Sequence, residues 1–337
     1  MQKSILCIIL SLLLLQTAKA ENPDTITVYL TKAGKKAITK DSSDYYRIIL
    51  PPDSNIDKDL YRVYEYYPDG SRKTIATSFT KSGNLVFDGT SITFFNNGKR
   101  CSTVQFKNGR PKGPLTFYYP NGALYSIFKF DDLSNGYYDG YYNNFLSNSN
   151  YNYRLNVVEL RDSTGKVLAI KGTGHVLIFD DDFKKVTIEG DIHNYKKEGE
   201  WKGLIADSGT YTCIYHRDEL KSGISYMKSG NHYTFKEMAT NAVFSDGLAA
   251  FQTFIKRNLQ YPESAKKHKA TGTVVVGFCV ETNGTVSDVK ILKGVIKSLD
   301  EEALRVISLS PLWIPASNYG VPLRSCGSVR VDFYYNM

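Results

Sequence analysis

The chain has 337 residues, 42 basic and 34 acidic side chains, and five cysteines. At roughly 100–200 residues per domain this implies two or three domains, each with enough chain for a core. Hydrophobic residues at 42% and charged residues at 23% exclude wholesale disorder, and the composition excludes collagen, coiled coil and multi-pass membrane protein. Tyr (25) and Phe (17) far outnumber Trp (2) and Met (4), and Tyr and Phe suit pleated, half-buried surfaces, so the composition favours β structure.

Residues 1–20 have the grammar of a secretory signal peptide. Lys3 lies in a short basic start, Ile5 to Leu15 is almost wholly apolar, and Ala18-Lys19-Ala20 has the small-x-small form of a cleavage site. An apolar stretch of this length makes about 16 Å of helix against a hydrocarbon core of roughly 30 Å. The alternative reading is an uncleaved membrane anchor. Cys7 lies inside the apolar stretch, far from the cleavage point, and does not suggest a lipid-modified N-terminus. The mature chain is expected to begin near Glu21 and to reside outside the cytoplasm. Removing Lys3 and Lys19 leaves a net charge of +6, scattered along the chain. The densest basic group, Lys266, Lys267 and Lys269, sits where it complements a helix dipole, so no nucleic-acid partner is expected.

After an N-terminal segment, 21–59, residues 60–235 read as a repeating antiparallel sheet. "DGTSITFFNNG", ending at Asn97-Gly98, recurs 24 residues later as "KGPLTFYYPNG", ending at Asn121-Gly122, and an earlier copy, "YEYYPDG", ends at Asp69-Gly70. Fixed-period self-similarity marks an array of like units. Alternating aromatics running into Asn-Gly or Asp-Gly predict hairpins with two-residue type I′ turns. "GEWKG" (199–203) and "GTYTCIYHRDELKSG" (209–223) continue the Gly-aromatic rhythm. These copies resemble MORN-type repeats in the variant form found in extracytoplasmic bacterial proteins. The resemblance implies lipid or protein contact, and a plain spacer is the other reading. Tyr137 to Tyr153 is read as a long hairpin with one face buried, or as a recognition surface.

No catalytic constellation stands out, and neither an enzyme, a metal site nor a cofactor is expected. The five histidines lack metal-ligand spacing. Asp180-Asp181-Asp182 reads as a charged hairpin loop. "KGTGH" (171–175) lacks the strand-to-helix setting of a phosphate loop, and no G-x-S-x-G occurs.

Helical periodicity first appears at Ser245. Leu248, Phe251, Ile255 and Leu259 share one helix face, and Pro262 opens a second short helix. "GTVVVGFCVETNGTVSDVKIL" predicts two strands around Asn283-Gly284. "SLDEEALRVISL" predicts a helix with a Ser298–Glu301 capping box and a buried stripe of Leu299, Ala303 and Val306. Val329, Val331 and Phe333 alternate on a last strand. The predicted fold is thus mainly β, a hairpin sheet followed by an α+β C-terminal domain of order α-α-β-β-α-β.

That order resembles the C-terminal domain of the TonB energy-transducer family. The landmarks are Tyr261-Pro262 with Ala265, the alternation from Gly272 to Val280, Asn283-Gly284-x-Val286 and Leu299-Asp300-x-x-Ala303. They continue through Pro311-x-Trp313-x-Pro315, Gly320-x-Pro322-x-Arg324 and Val329-x-Val331-x-Phe333, so the match runs over 245–337. The resemblance implies a small helix-covered antiparallel sheet. It also implies that the sheet grips the TonB box of outer-membrane receptors by strand addition, with an inner-membrane motor driving uptake of bulky ligands. Two departures matter. The family's transducers keep an N-terminal membrane helix and a long Pro-rich linker, whereas here the apolar segment is short and the chain has 11 prolines. With the segment cleaved, the chain is a TonB-like binding module on a repeat spacer. With it retained, a motor complex is a further partner. The other reading is a periplasmic or cell-surface scaffold with no transport role.

Two sets of site residues follow. In a split β-α-β order the first strand is central, so the last strand presents a free edge to a partner. Its residues are Gly327, Ser328, Val329, Arg330, Val331, Asp332, Phe333, Tyr334 and Tyr335, with Arg324 and Arg330 expected to favour acidic neighbours. Four cysteines remain after signal removal, which allows three pairings. Cys279 near the end of the first strand and Cys326 near the start of the last fall on the same sheet face, away from the helices. They are expected to pair, the alternative being two free thiols.

Overall fold

The computed structural model describes residues 24–55, 57–130 and 155–335. The signal-like segment and Tyr137–Tyr153 lie outside them. The described residues form two compact units, one of those up to 156 with 161–166, the other of those from 157 to 160 and from 167 on.

In the first unit eight strands pair each with the next, all antiparallel. They are β1 (Ile26–Leu30), β2 (Tyr45–Leu50), β3 (Tyr61–Tyr66), β4 (Arg72–Ser78), β5 (Gly89–Phe94), β6 (Arg100–Lys107), β7 (Arg110–Tyr118) and β8 (Leu124–Phe130). Alternation buries one face: Tyr45, Val63, Val104, Phe106, Leu115, Phe117, Tyr125 and Phe128 are each at most 2% exposed.

The repeated Asx-Gly motifs sit at the hairpin tips, but not as type I′ turns. At Asn97-Gly98 the Gly98 N–H donates to Phe95 O (2.9 Å) and Phe95 N–H to Lys99 O (2.8 Å). The same pair of bonds closes Tyr67–Ser71 and Tyr119–Ala123. Only the glycine takes a positive φ, 77° at Gly98 and 92° at Gly122. This is the three-residue loop in which a type I turn is followed by a left-handed glycine. The Asx side chain explains the choice: Asn97 Oδ1 accepts the Lys99 N–H (2.9 Å), Asn121 Oδ1 that of Ala123 (2.9 Å) and Asp69 Oδ1 that of Ser71 (2.8 Å). Two-residue turns with two positive φ values do occur, at the opposite hairpin ends, as at Asn108-Gly109 (50° and 75°). Successive tips are tied together, Asn97 Nδ2 donating to Pro120 O (2.9 Å) and Tyr67 Oη to Phe94 O (2.9 Å).

Strand β9 (Leu155–Arg161) is divided between the units. The second unit continues with β10 (Val167–Ile170), β11 (Thr173–Phe179), β12 (Val186–His193), β13 (Lys196–Ile205), β14 (Gly209–His216), β15 (Glu219–Met227) and β16 (His232–Phe235). From β10 onward each pairs antiparallel with its successor. The triple aspartate lies in the loop between β11 and β12, where Asp180 Oδ1 accepts the Lys184 N–H (2.7 Å). On the buried face glycines lie opposite aromatics: Gly190 faces Trp201, Gly203 faces Tyr211, and Gly223 faces Phe235. A Cβ at any of the three would come within 2.2–2.3 Å of the facing ring. The Gly-aromatic rhythm of the sequence is therefore a packing rule, with each ring lying in the space its partner glycine leaves open.

The C-terminal part of this unit has helices α1 (Gly247–Asn258), α2 (Glu263–Lys267) and α3 (Lys297–Ser308). Its strands are β17 (Ala239–Thr240), β18 (Val243–Phe244), β19 (Gly272–Val280), β20 (Val286–Lys293), β21 (Trp313–Ile314), β22 (Ala316–Asn318), β23 (Val321–Leu323) and β24 (Ser325–Phe333). β19 lies between β20 and β24, both antiparallel to it. Phe251 and Ile255 of α1 and Leu299, Ala303, Val306 and Ile307 of α3 pack on Val274, Val276, Phe278, Val331 and Phe333. The half-buried Trp313 packs against this core, its ring 4.8 Å from that of Phe251 and 5.3 Å from that of Phe278.

Three expectations are corrected. Leu248 is 69% exposed because it falls in the first turn of α1, ahead of the buried Phe251. The capping box does not form: α3 begins at Lys297, Ile296 stands at its N-cap, and no side chain caps it. Instead Asp300 Oδ1 accepts the Val295 N–H (2.9 Å), and Glu302 turns inward to Arg305 (2.7 Å) and the Gln260 N–H (2.6 Å). The element order also gains two small pairings, β18 with β21, and β22 between β17 and β23.

Candidate functional site

Strand β24 is built by strict alternation. Val329, Val331 and Phe333 face the helices, while Cys326, Ser328, Arg330 and Asp332 face the open side of the sheet opposite Cys279, Gly277, Val275 and Thr273. Its pairing with β19 runs through nine consecutive residues without a register shift, from Ser325 opposite Val280 to Phe333 opposite Gly272. At about 3.4 Å per residue that is an edge of about 30 Å. Among the described residues no strand pairs with its other side. Alternate N–H and C=O groups of β24 therefore point away from β19 with no ladder partner.

The other edge of the same sheet is different. β20 meets β19 with two register shifts, and Asp288 within it takes a φ of 50°. A bulge of this kind twists an edge and blunts it against pairing. One edge is regular and the other is not.

Cys279 and Cys326 are directly opposite in the ladder and joined by a disulfide, with S–S 2.05 Å. It fastens the start of β24 to the end of β19 on the face away from the helices. Arg324 lies beside it: Nη1 is 3.4 Å from Cys326 Sγ, Nε donates to Glu281 Oε1 (2.8 Å), and Nη2 bonds Asp288. Hydrogen bonds from Ser287 and Arg324 hold the Glu281 carboxyl below the usual carboxylate range, and the bond to Glu281 raises the Arg324 guanidinium further. Arg324 is thus engaged within the chain. Arg330 is exposed and forms no ion pair among the described residues, which makes it the available cation of this edge. Asp332 accepts a bond from Thr273. Beyond the strand Tyr334 is 71% exposed, and Tyr335 packs against Tyr261 with centroids 6.0 Å apart.

Sequence reasoning missed the β22–β23 hairpin, which joins the C-terminal elements to the preceding hairpins of the same unit. At its tip Tyr319, with φ 51°, stacks on Tyr211 at 4.5 Å and meets Phe235 edge-on at 6.1 Å. The Ser225 hydroxyl donates to Tyr319 O (2.6 Å), and the Tyr319 N–H donates to Met238 O (2.6 Å). The signal available was Asn318-Tyr319-Gly320, a turn-forming triplet between two short apolar runs. Beneath this contact Cys213 is fully buried, and burial pushes its thiol up to about 11, so it is a packing residue.

The C-terminal segment has counterparts among known proteins. Two solution structures of the Helicobacter pylori TonB C-terminal domain are similar to it, at 23% and 21% identity. They cover 26% and 25% of this chain and 78% and 89% of their own, with TM-scores of 0.21 and 0.20. No curated protein matches. The family model described as the Gram-negative bacterial TonB protein C-terminal matches residues 257–335, which span α2, α3 and the whole β20-β19-β24 sheet. Residues 257–335 are thus similar to the C-terminal domain of the TonB family, and the described residues that precede Ala239 form antiparallel hairpins.

Proposed function

We propose that this protein captures an extended peptide segment along β24 by strand addition, in the periplasm, the segment being the TonB box of an outer-membrane receptor. The observation that carries the reading is the asymmetry of the sheet: a regular nine-residue open edge at β24 against a bulged one at β20. Backbone pairing supplies affinity in this mode, and side chains alternating along the edge supply selectivity. Arg330 and the exposed Ser328 favour an acidic or polar neighbour, while Arg324 braces β24 from within. The disulfide keeps the edge strand on its sheet while a partner pulls on it.

Among the described residues no helix is long and apolar enough to cross a membrane. Coupling to an inner-membrane motor therefore rests on whether residues 1–20 are retained, which N-terminal sequencing of the exported protein decides. The binding test is calorimetric titration of the full chain with TonB-box peptides, followed by Arg330→Pro. Proline removes one backbone donor. Loss of binding in Arg330→Pro or in the neighbouring Val329→Pro, with the fold retained, supports the edge. Unchanged affinity in both removes it.

A further inference from the structure

A second feature lies within the first unit, at its N-terminal end. Between β1, β2 and two loops, residues 31–40 and 81–85, there is a cavity of about 640 Å³, within the range of small-molecule sites. Its floor is apolar. Ile26 and Ile49 are register partners on one face of the sheet, and Val28 lies on the same face opposite Arg47. Leu85 closes one wall, and Ile38 is 97% exposed at the mouth.

The polar side of the cavity has a single sign. Lys36, Lys40, Arg47 and Lys81 line it, and no lining residue is acidic. The three lysines form no ion pair among the described residues, whereas Arg47 is held rigidly: its Nε and Nη2 both donate to Glu65 Oε1, at 3.0 and 2.7 Å. Glu65 is itself shared with Lys73 (3.0 Å) and with Thr74 (2.6 Å), so it does not serve Arg47 alone. The first loop is preformed by Thr31 N–H to Lys35 O (2.8 Å), Gly34 N–H to Thr31 O (2.8 Å) and Ala37 N–H to Tyr29 O (2.9 Å). The last of these, with the Leu30–Lys36 bridge, occupies the Tyr29–Leu30 end of the β1 edge.

The geometry points to a binding site for a long-chain fatty-acid carboxylate. The acyl chain lies over Ile26, Val28 and Ile49, under Leu85 and Ile38, and the carboxylate meets Arg47 and the rim lysines. An apolar floor with a rim of one charge matches a ligand that is apolar along its length and anionic at one end. The site is independent of the peptide edge.

The test titrates the purified full chain with the fluorescent fatty acid cis-parinarate, below its micellar concentration. Saturable binding of one molecule per chain is expected, weakened tenfold or more in the triple variant Lys36→Gln, Lys40→Gln, Lys81→Gln and in Ile38→Asp. All four positions are exposed, and circular dichroism checks the fold. On the unaltered protein, the methyl ester should compete at least tenfold more weakly than the acid, and inorganic phosphate should not compete. The proposal is overturned by absence of saturable binding, by equal competition from the ester, by displacement with phosphate, or by binding to anionic vesicles without binding of monomeric acid.

Discussion

If each inward glycine of the hairpin sheet exists to seat a facing ring, adding one methyl group should be costly where backbone conformation gives no reason for it to be. Gly190 isolates that effect. Its backbone lies outside the positive-φ region, so alanine there carries no conformational penalty. Yet a Cβ would stand 2.3–2.6 Å from three atoms of the Trp201 indole, when ordinary contact begins at 3.4 Å. Trp201 is 4% exposed, and its Nε1–H donates to Asp191 O (2.9 Å), so the ring can move neither into solvent nor along the sheet without losing that bond. Overpacking of this kind costs about 1–3 kcal/mol, and a lost hydrogen bond adds about 1 kcal/mol. Gly190→Ala should therefore destabilise the second unit by about 2–4 kcal/mol, read by amide hydrogen exchange over residues 186–216. A double-mutant cycle removes ambiguity. With Trp201→Leu in place the clash is relieved, and Gly190→Ala should become neutral or slightly stabilising through its restriction of the unfolded chain. At Gly199 a Cβ meets nothing within 4 Å but φ is 67°, so alanine there should cost about 1 kcal/mol whatever residue 201 is. A Gly190→Ala variant within 0.5 kcal/mol of the parent, or a cost that persists in Trp201→Leu, would refute the packing rule.

Reducing the Cys279–Cys326 bond, which closes a separation of 47 residues, should lower the stability of the C-terminal sheet by up to about 4 kcal/mol, seen as earlier exchange of β24 amides on adding a reductant. Glu65 is buried against two cations; desolvation alone would raise its pKa, but Lys73, Arg47 and the Thr74 hydroxyl outweigh this and leave it below the ordinary 4.5. Its contribution is therefore full above pH 4.5 and fades as pH falls through the lowered folded value, so acid melts of the first unit should lose that slope in Glu65→Gln. The same variant at pH 7 should be destabilised by about 3 kcal/mol, since it removes the buried carboxylate that the half-buried Arg47 and Lys73 share. Tyr319→Ala should cost about 2 kcal/mol by emptying the half-buried seat on Tyr211 and Phe235, and should speed exchange in β14 and β15 as well as in β22, whereas a purely local loss would spare the first two.

What was legible in the sequence is what short-range periodicity encodes. Val329, Val331 and Phe333 announce a strand with one covered face because a pleat repeats every two residues, and Leu299, Ala303 and Val306 announce a helix because its turn repeats every 3.6. The same reasoning read the turns as far as position but not type. Asn97-Gly98 suits a two-residue turn or the end of a three-residue one, and the outcome depends on which side of the strand pairing the Asn carboxamide bonds. Ser298 and Glu301 have capping-box spacing, yet Asp300, between them, takes the Val295 N–H, and a helix then starting at Lys297 leaves Ser298 inside its first turn.

What was not legible is made of contacts between residues distant in sequence, carried by elements too short to show a period. β17, β18 and β21 have two residues each, and β22 and β23 three, so no alternation betrays them. The Ser225–Tyr319 bond joins positions 94 apart. Nothing in "ASNYGVPL" states that its tyrosine will find Tyr211. Once found, the contact changes the meaning of the repeats: the last hairpins are packing partners of the C-terminal α+β elements and not merely a spacer before them. On the proposed function, a pull on β24 would pass through the β19 ladder and the disulfide into the helix-covered core. A second route would run along the chain through Arg324 and β23 to Tyr319, and so to Tyr211 in β14, Ser225 in β15 and Phe235 in β16. A load shared between two attachments makes the module harder to peel from its support than a domain tethered by one flexible linker.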